Sequence, residues 1–351
     1  MLTYEGFSIF TKKVNKVNRH LNLQTNDEKK YIKGKADVHT NGREVNRLMI
    51  QIWITGFLLL AQPSGPPDSL TVTQQGRTIA TVNRENFTMP LPGTPMIDHE
   101  KYRKFIEQLD QQVYREPINA VLNDHGGIIP GRVGYKLYQQ AFMEKFYSYF
   151  YGQGSSKVEV PELNIYPEVD SEMLAHISTQ RLGQYVTYFN SNNKSRTHNI
   201  SLSAKAIDNH VVFPNETFSF NQVVGMRTRD KGYKSAPIIV KGELSEGVGG
   251  GICQVSSTLF NAVDRAGLRI VQRYSHTRSV PYVPPGRDAT VSWGGPDFLF
   301  QNQYNQPILI RAKRHGSSMI VTLYSSDVIN NKLRKVPKAP SQIPKEINAE
   351  R

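Results

Sequence analysis

The chain has 351 residues, 38% of them apolar and 10% aromatic, enough to fill the cores of two domains, which excludes wholesale disorder and fibrous repeats. Lys and Arg number 43 against 30 Asp and Glu, and the resulting net charge of +13 points to an anionic partner. The single cysteine, Cys253, excludes an internal disulfide and a thiolate-rich metal site.

The excess charge is concentrated at the ends. Residues 1–48 carry ten basic against five acidic side chains and residues 327–351 six against three, so the termini supply +8 of the +13. No basic stripe interleaved with aromatics and no helix-turn-helix, zinc-finger or single-strand-binding motif goes with it, so no nucleic-acid partner is expected. An anionic polymer or a membrane surface satisfies the charge equally well.

Residues 1–47 read as a basic, polar leader. They precede Leu48 to Ala61, fourteen residues without a charge. At 1.5 Å per residue this run falls short of the roughly 30 Å hydrocarbon core of a bilayer. It has the length of a signal-peptide apolar region, flanked by Arg43 and Arg47 before it and by the helix-breaking Gln62 to Pro67 after it. The leader is longer than a signal peptide needs, so the true start is expected further along. Left uncleaved, residues 48–61 would be a membrane anchor.

Residues 62–97 read as a linker and entry strands, and 98–186 as a first module. Tyr102, Ile106, Leu109 and Val113 stand at helical spacing between Asp98 and Tyr114. A second amphipathic helix is expected over Arg132 to Tyr151, through Tyr138, Phe142, Phe146 and Tyr149. Between the two, Ile118 to Ile129 carries two short apolar runs around His125-Gly126-Gly127, the signal of a hairpin. His125 reads as a solvated turn residue, since no second ligand stands at metal spacing, and the Tyr/Phe stripe reads as core.

From 197 to 326 the texture changes to strand-like runs separated by Gly, Pro and Asn turns, with one clear helix. His198 to Ile207 alternates like a strand, Val211 to Phe220 is extended through a turn, and Gln306 to Tyr324 is a hairpin turning at His315-Gly316. The helix begins after Gly249-Gly250-Gly251, buries Ile252, Val255, Leu259 and Val263, and stops at Gly267. The overall expectation is an α+β chain, an N-terminal α+β module followed by a β-rich domain with one glycine-loop-to-helix cysteine site. Residues 327–351 are expected to be a flexible basic tail.

The glycine run places Cys253 in the first turn of that helix, where the positive end of the dipole and free N–H groups favour a thiolate. Glycines without side chains let a substrate approach the sulfur and offer N–H groups to an oxyanion. A small buried hydrophobe is the competing reading of a lone cysteine, and on these residues alone the two balance. A nucleophilic cysteine needs a base. Of His198, His210, His276 and His315, the best placed is His276, just past the strand that follows the helix. Asp288 or Asp297 would orient its ring, and the sequence does not choose between them.

These residues fall in a series of motifs. Phe218-Ser-Phe-Asn221, Lys231-Gly-Tyr233, Gly249-Gly-Gly-Ile-Cys-Gln-Val-Ser-Ser-Thr-Leu-Phe-Asn261, Arg273-Tyr-Ser-His276, Tyr282-Val-Pro-Pro-Gly-Arg-Asp-Ala-Thr290 and Asp297-Phe-Leu-Phe-Gln-Asn302 together resemble the VanW family, named for glycopeptide-resistance gene clusters. Residues 98–186 are similar to the peptidoglycan-binding module that often precedes it. The resemblance implies an L,D-transpeptidase using the cysteine of the GGG-I/V-CQ motif, which is Cys253 here. Reading the neighbouring motifs on that basis puts His276 as base and Asp288 as its orienter. Gly249, Gly250, Gly251, Gln254, Arg278 and Tyr282 then fall on the substrate side. The Ser-His-Gly-Cys signature of the better-known L,D-transpeptidase fold is missing from the sequence, so that fold places neither the oxyanion hole nor the base.

The implied chemistry is acyl transfer on peptidoglycan stem peptides, forming 3→3 cross-links through a thioester, with no metal and no cofactor. The implied partners are stem peptides and an anionic cell-wall polymer. The implied location is extracytoplasmic, anchored or secreted to the wall of a Gram-positive bacterium. Two other classes share the motifs: a non-catalytic wall-binding accessory protein, and a cysteine amidase or carboxypeptidase that resolves the thioester with water.

Overall fold

The computed structural model describes residues 68–344, apart from 91, 94, 241 and 242; the leader and the apolar segment at 48–61 lie outside the described residues. Among the described residues no helix is long and apolar enough to cross a membrane.

Strands β1 (Ser69–Gln74) and β2 (Arg77–Asn83) form a hairpin whose turn residues Gln75 and Gly76 both take positive φ, as a tight two-residue turn between twisted strands requires. β1 also pairs in parallel with β6 (Ser156–Glu159), Leu70 opposite Ser156 and Val72 opposite Val158. A parallel pair needs a long crossover, and helices α1 (His99–Val113) and α2 (Gln139–Tyr151) lie within it. Asp98 caps α1, accepting from the N–H groups of Glu100 and Lys101 at 3.1 Å each. Ile106, Leu109 and Val113 then face a core shared with Leu70, Val72 and Val158. Phe146 is the centre of that core, its ring 4.7 Å from Tyr102 and 5.0 Å from Phe87, so the Tyr/Phe stripe is a packed seam.

The second helix is shorter than expected. Residues 134–137 form β5, paired with β7 (Glu162–Ile165), and the segment following α1 holds them extended through reciprocal bonds between Arg115 and Tyr135 of 2.8 and 3.0 Å. Strands β3 (Val121–Leu122) and β4 (Ile128–Ile129) make the expected hairpin, with His125 exposed at its turn. This hairpin and helix α3 (Ser171–Ile177) share a small apolar cluster with Val211 and Leu309 of the second domain. Asn209 donates to Leu122 O at 3.1 Å and accepts from Leu122 N–H at 2.9 Å, and Arg311 donates to Asn123 O at 3.0 Å.

The second domain is built on an antiparallel sheet in the order β8 (Gln180–Tyr188), β16 (Ser318–Ser325), β15 (Ile308–His315), β9 (Val211–Val212). Helices α4 (Lys194–Ile207) and α6 (Ile252–Arg265) pack on it and on each other. A smaller sheet orders β10 (Thr217–Ser219), β14 (Leu299–Gln301) and β13 (Arg269–Gln272). Short helix α5 (Phe220–Val224) and the hairpin of β11 (Ser235–Val240) and β12 (Glu243–Val248) complete it.

Two expectations are corrected here. Residues 198–207 are not a strand: they belong to α4, whose N-cap Asn193 accepts from Arg196 N–H at 2.9 Å and whose Ile200, Ser203, Ala204 and Ile207 are buried at helical spacing. The domain therefore has three helices over 194–265 and not one. Residues 327–344, the start of the stretch expected to be flexible, lie in no helix or strand yet are tied down. Ile329 and Val336 are buried in the main core, Tyr185 Oη donates to Pro337 O at 3.0 Å, and Arg334 N–H donates to Arg265 O at 3.0 Å.

Gly267, which ends α6 at φ +80°, is where this strap crosses: a Cβ there would stand 1.8 Å from Lys332 O. Gly267→Ala should lower stability by about 2 kcal/mol or more in a denaturant titration, with faster amide exchange over 327–344.

Candidate active site

α6 carries polar residues where a surface helix would be solvated, yet Gln254, Ser256, Ser257, Thr258 and Asn261 are all buried. Buried polar groups must be paired: Gln254 and Thr258 bond to β8, and Ser256, Ser257 and Asn261 to the segment 287–291. Ser256 Oγ donates to Ala289 O at 2.6 Å, Ala289 N–H donates to Ser257 Oγ at 2.9 Å, and Asn261 Nδ2 donates to Arg287 O at 2.8 Å. Arg287 returns bonds to Asn261 Oδ1 at 2.8 Å and Asp264 Oδ2 at 2.7 Å. The segment is thereby laced along the helix, and Asp288, Thr290 and Val291 are delivered beside its first turn.

That first turn holds Cys253. Gly251 caps α6 in the left-handed region at φ +105°, and a Cβ there would stand 2.9 Å from Arg196 Cγ, so only glycine fits. Cys253 is half-buried, with Sγ 3.5 Å from Val291 O and 3.8 Å from Thr290 Oγ1. His276 lies close enough to Cys253 for each to shift the other's ionisation. Nδ1 of His276 lies 2.6 Å from Asp288 Oδ2, which also accepts the His276 backbone N–H at 2.6 Å, so one carboxylate oxygen fixes both ring and main chain and leaves Nε2 unengaged by Asp288. Both side chains are under 10% exposed.

The electrostatics follow from this geometry. Burial pushes the Cys253 thiol up, but the hydrogen bond and charge of His276 outweigh it and bring the thiol below its ordinary value. Burial likewise pulls His276 down, and its bonds to Asp288 and Cys253 outweigh that, raising the imidazole to about 9. Burial would raise Asp288, but the ring and backbone N–H of His276 hold it below the usual carboxylate range. The arrangement favours the thiolate–imidazolium form over the neutral pair, and the thiolate is the form of cysteine that attacks acyl carbon.

The pair opens on a cavity of about 790 Å³. Gly249, Gly251, Gln254, Arg278 and Tyr282 line it, whereas Gly250 faces away: a Cβ there would meet Ala236 O of β11 at 2.5 Å. The run thus serves close backbone packing as much as substrate approach. The Gln254 side chain is taken up by the fold, its Nε2 donating to Thr187 Oγ1 at 3.0 Å and to Tyr188 O at 3.1 Å and its Oε1 accepting from Arg196 at 2.8 Å. Tyr282 is buried, and burial pushes its phenol well up. Arg278 is exposed. Asp297, the other candidate orienter, does not join the pair: it accepts from Ser219 Oγ at 2.6 Å, Asn221 N–H at 2.9 Å and Phe298 N–H at 2.7 Å. His198 bonds Gly232 O at 2.9 Å and His210 packs edge-on to Phe218.

Sequence reasoning missed Arg196, Arg227, Thr290 and Trp293 in the cavity wall. Asn193 three residues before Arg196 was a helix-start signal that would have put Arg196 on α4. Thr290 lay inside a quoted motif. Among the described residues no group of three or more His, Cys, Asp or Glu is placed to hold a metal ion.

Residues 195–324 match the family model described as "VanW like protein", and residues 69–159 match one described as "Putative peptidoglycan binding domain". The chain is 89% identical over 302 residues to "Uncharacterized protein YoaR" of Bacillus subtilis (strain 168), an alignment covering 86% of this chain and 100% of that one. It is 33% identical over 114 residues to "Vancomycin B-type resistance protein VanW" of Enterococcus faecalis (strain ATCC 700802 / V583), covering 31% of this chain and 42% of that protein. No solved structure matches.

Replacing His276 removes the group that offsets burial of the thiol. In His276→Ala the pH profile of Cys253 alkylation by iodoacetamide, read by intact-protein mass spectrometry, should move to higher pH, with a slower rate at neutral pH. An unchanged profile would show that His276 does not set the ionisation of the thiol.

Proposed function

The chain belongs to the VanW family, with a peptidoglycan-binding domain ahead of its VanW-like domain, and from that premise we propose that it is a cysteine acyltransferase of the cell wall, an L,D-transpeptidase that joins stem peptides by 3→3 cross-links. The observation that carries this reading is that Cys253 and His276 line one cavity beside the start of α6, with the His276 ring bonded to Asp288.

In the proposed reaction the Cys253 thiolate attacks the carbonyl carbon of the third residue of a tetrapeptide stem. The Cys253 N–H receives the oxyanion, its neighbours Ile252 and Gln254 already donating to Gly249 O and Gly251 O. The tetrahedral adduct collapses, the bond to the terminal D-alanine breaks, and the proton on His276 Nε2 passes to the departing amine. His276, now neutral, takes a proton from the incoming side-chain amine of a neighbouring third residue. That amine displaces the thiolate from the thioester, leaving an amide cross-link and restoring the ion pair. Asp288 keeps Nδ1 protonated and the ring in place throughout.

A donor ending in a single D-alanine does not present D-Ala-D-Ala. The route would therefore connect this chain to the vancomycin resistance named for its relative in Enterococcus faecalis. It would place the domain outside the membrane, at the wall that the first module binds.

The test is incubation of the purified protein with tetrapeptide stems, followed by mass spectrometry of products. The expected products are 3→3 dimers and free D-alanine, and Cys253→Ala should lower their formation by about three orders of magnitude or more. Because the departing amine needs the imidazolium, dimer formation should fall as pH rises through about 9. Tripeptide as the sole product in the presence of acceptor would mean that water resolves the thioester and would make the protein a carboxypeptidase. Dimers formed at an undiminished rate by Cys253→Ala would refute the nucleophile.

A further inference from the structure

Arg227, in the loop between α5 and β11, contributes to the wall of the cavity. Its Nη1 and Nη2 are shielded from solvent and have no hydrogen-bond partner among the described residues, so an anion reaches them only when the fork turns toward the cavity. A buried guanidinium without an acceptor is costly, and native proteins rarely tolerate one without a role. Asp297, a carboxylate whose charge acts on it, has its oxygens engaged by Ser219, Asn221 and Phe298. The guanidinium lies 5.8 Å from the centre of the Phe220 ring, and the side-chain stem packs beside Gly249, four residues before Cys253. Its position is therefore set by the fold while its donors are left unused.

The surroundings say what would use them. Arg196 and Arg278 also line the cavity, and no Asp or Glu is among its described lining residues. A cavity walled by cations selects an anion, and a planar fork with two free donors matches a carboxylate. In a peptide cut at its last bond, the terminal carboxylate stands only three bonds from the attacked carbonyl carbon. A group that binds that carboxylate would also align the carbonyl with the sulfur.

We propose that Arg227 is the carboxylate-binding residue of this cavity, clamping the C-terminal carboxylate of the acyl donor so that peptides ending one residue past the scissile bond are selected. The substrate named here rests on the acyl-transfer reading of Cys253, whereas an anion site at Arg227 does not. Internal peptide bonds and C-terminal amides, which place no carboxylate at this distance, are poor donors on this basis.

The experiment compares alkylation of Cys253 in the full chain by iodoacetate, which carries a carboxylate, and by iodoacetamide, its neutral analogue. Arg227→Gln should lower the iodoacetate-to-iodoacetamide rate ratio about tenfold, and Arg227→Lys should recover part of it. In the wild-type protein, N-acetyl-D-alanine should slow iodoacetamide alkylation more than N-acetyl-D-alaninamide does. A ratio unchanged in Arg227→Gln, or equal protection by acid and amide, overturns the proposal. Neither readout requires turnover. Absent cross-linking with the carboxylate dependence intact would count against the transpeptidase and not against Arg227; cross-linking with no such dependence would do the reverse.

Discussion

The site depends on one polar seam. Along α6, buried hydroxyls and amides that would destabilise a core if left alone are matched by the backbone of 287–291 and by Arg287. Inside the protein each such bond is strong and each missing one is expensive, so the segment has essentially one register against the helix. That register sets Asp288 opposite His276 and His276 opposite Cys253. Arg273, donating to Asp288 O at 2.6 Å and lying over the Phe260 ring, ties the strand side of the loop into the same arrangement.

Charge at the site is a contest between burial and pairing. Burial alone would neutralise all three members of the chain from thiol to carboxylate. Pairing wins at each position because every charge has an opposite one in direct contact, from Cys253 to His276 to Asp288. The surrounding guanidiniums add a positive field without contributing a base that could take the imidazole's place. The +13 of the whole chain, concentrated at its ends, is a separate matter from this local field, since Arg196, Arg227 and Arg278 all lie in the middle of the sequence.

What could be read from the sequence was the site's local chemistry. A glycine run followed by a helical stripe located α6 and the cysteine at its start, and the succeeding strand led to His276. From local pattern alone Asp288 and Asp297 were not distinguished, and the preference for Asp288 came from the motifs of the resemblance: both aspartates follow glycine-rich turns, and it is the lacing of Arg287 and Ala289 that brings Asp288 to the ring. Helix α4 was misread because Ile200, Leu202, Ala204 and Ala206 alternate as well as they spiral, and its true buried face includes Asn199 and Ser203, polar residues taken for exposed. Asn199 accepts from Lys234 N–H at 2.8 Å and donates to Gly250 O at 3.0 Å, contacts no pattern announces. Arg227 sits in a run of charges, Arg227 to Lys231, that reads as solvated surface until the fold closes over it.

The hairpin of β3 and β4 has a mechanical consequence. Asn209, Arg311 and the cluster around Leu122 and Leu309 fasten the segment that follows the first helix to the back of the second domain's sheet. Lys313 adds a bond to Asp124 at 2.7 Å at the hairpin's tip. Polar and apolar contacts thus lie side by side at this joint. A force pulling the hairpin from the sheet would have to break the Arg311 bond and the apolar cluster together.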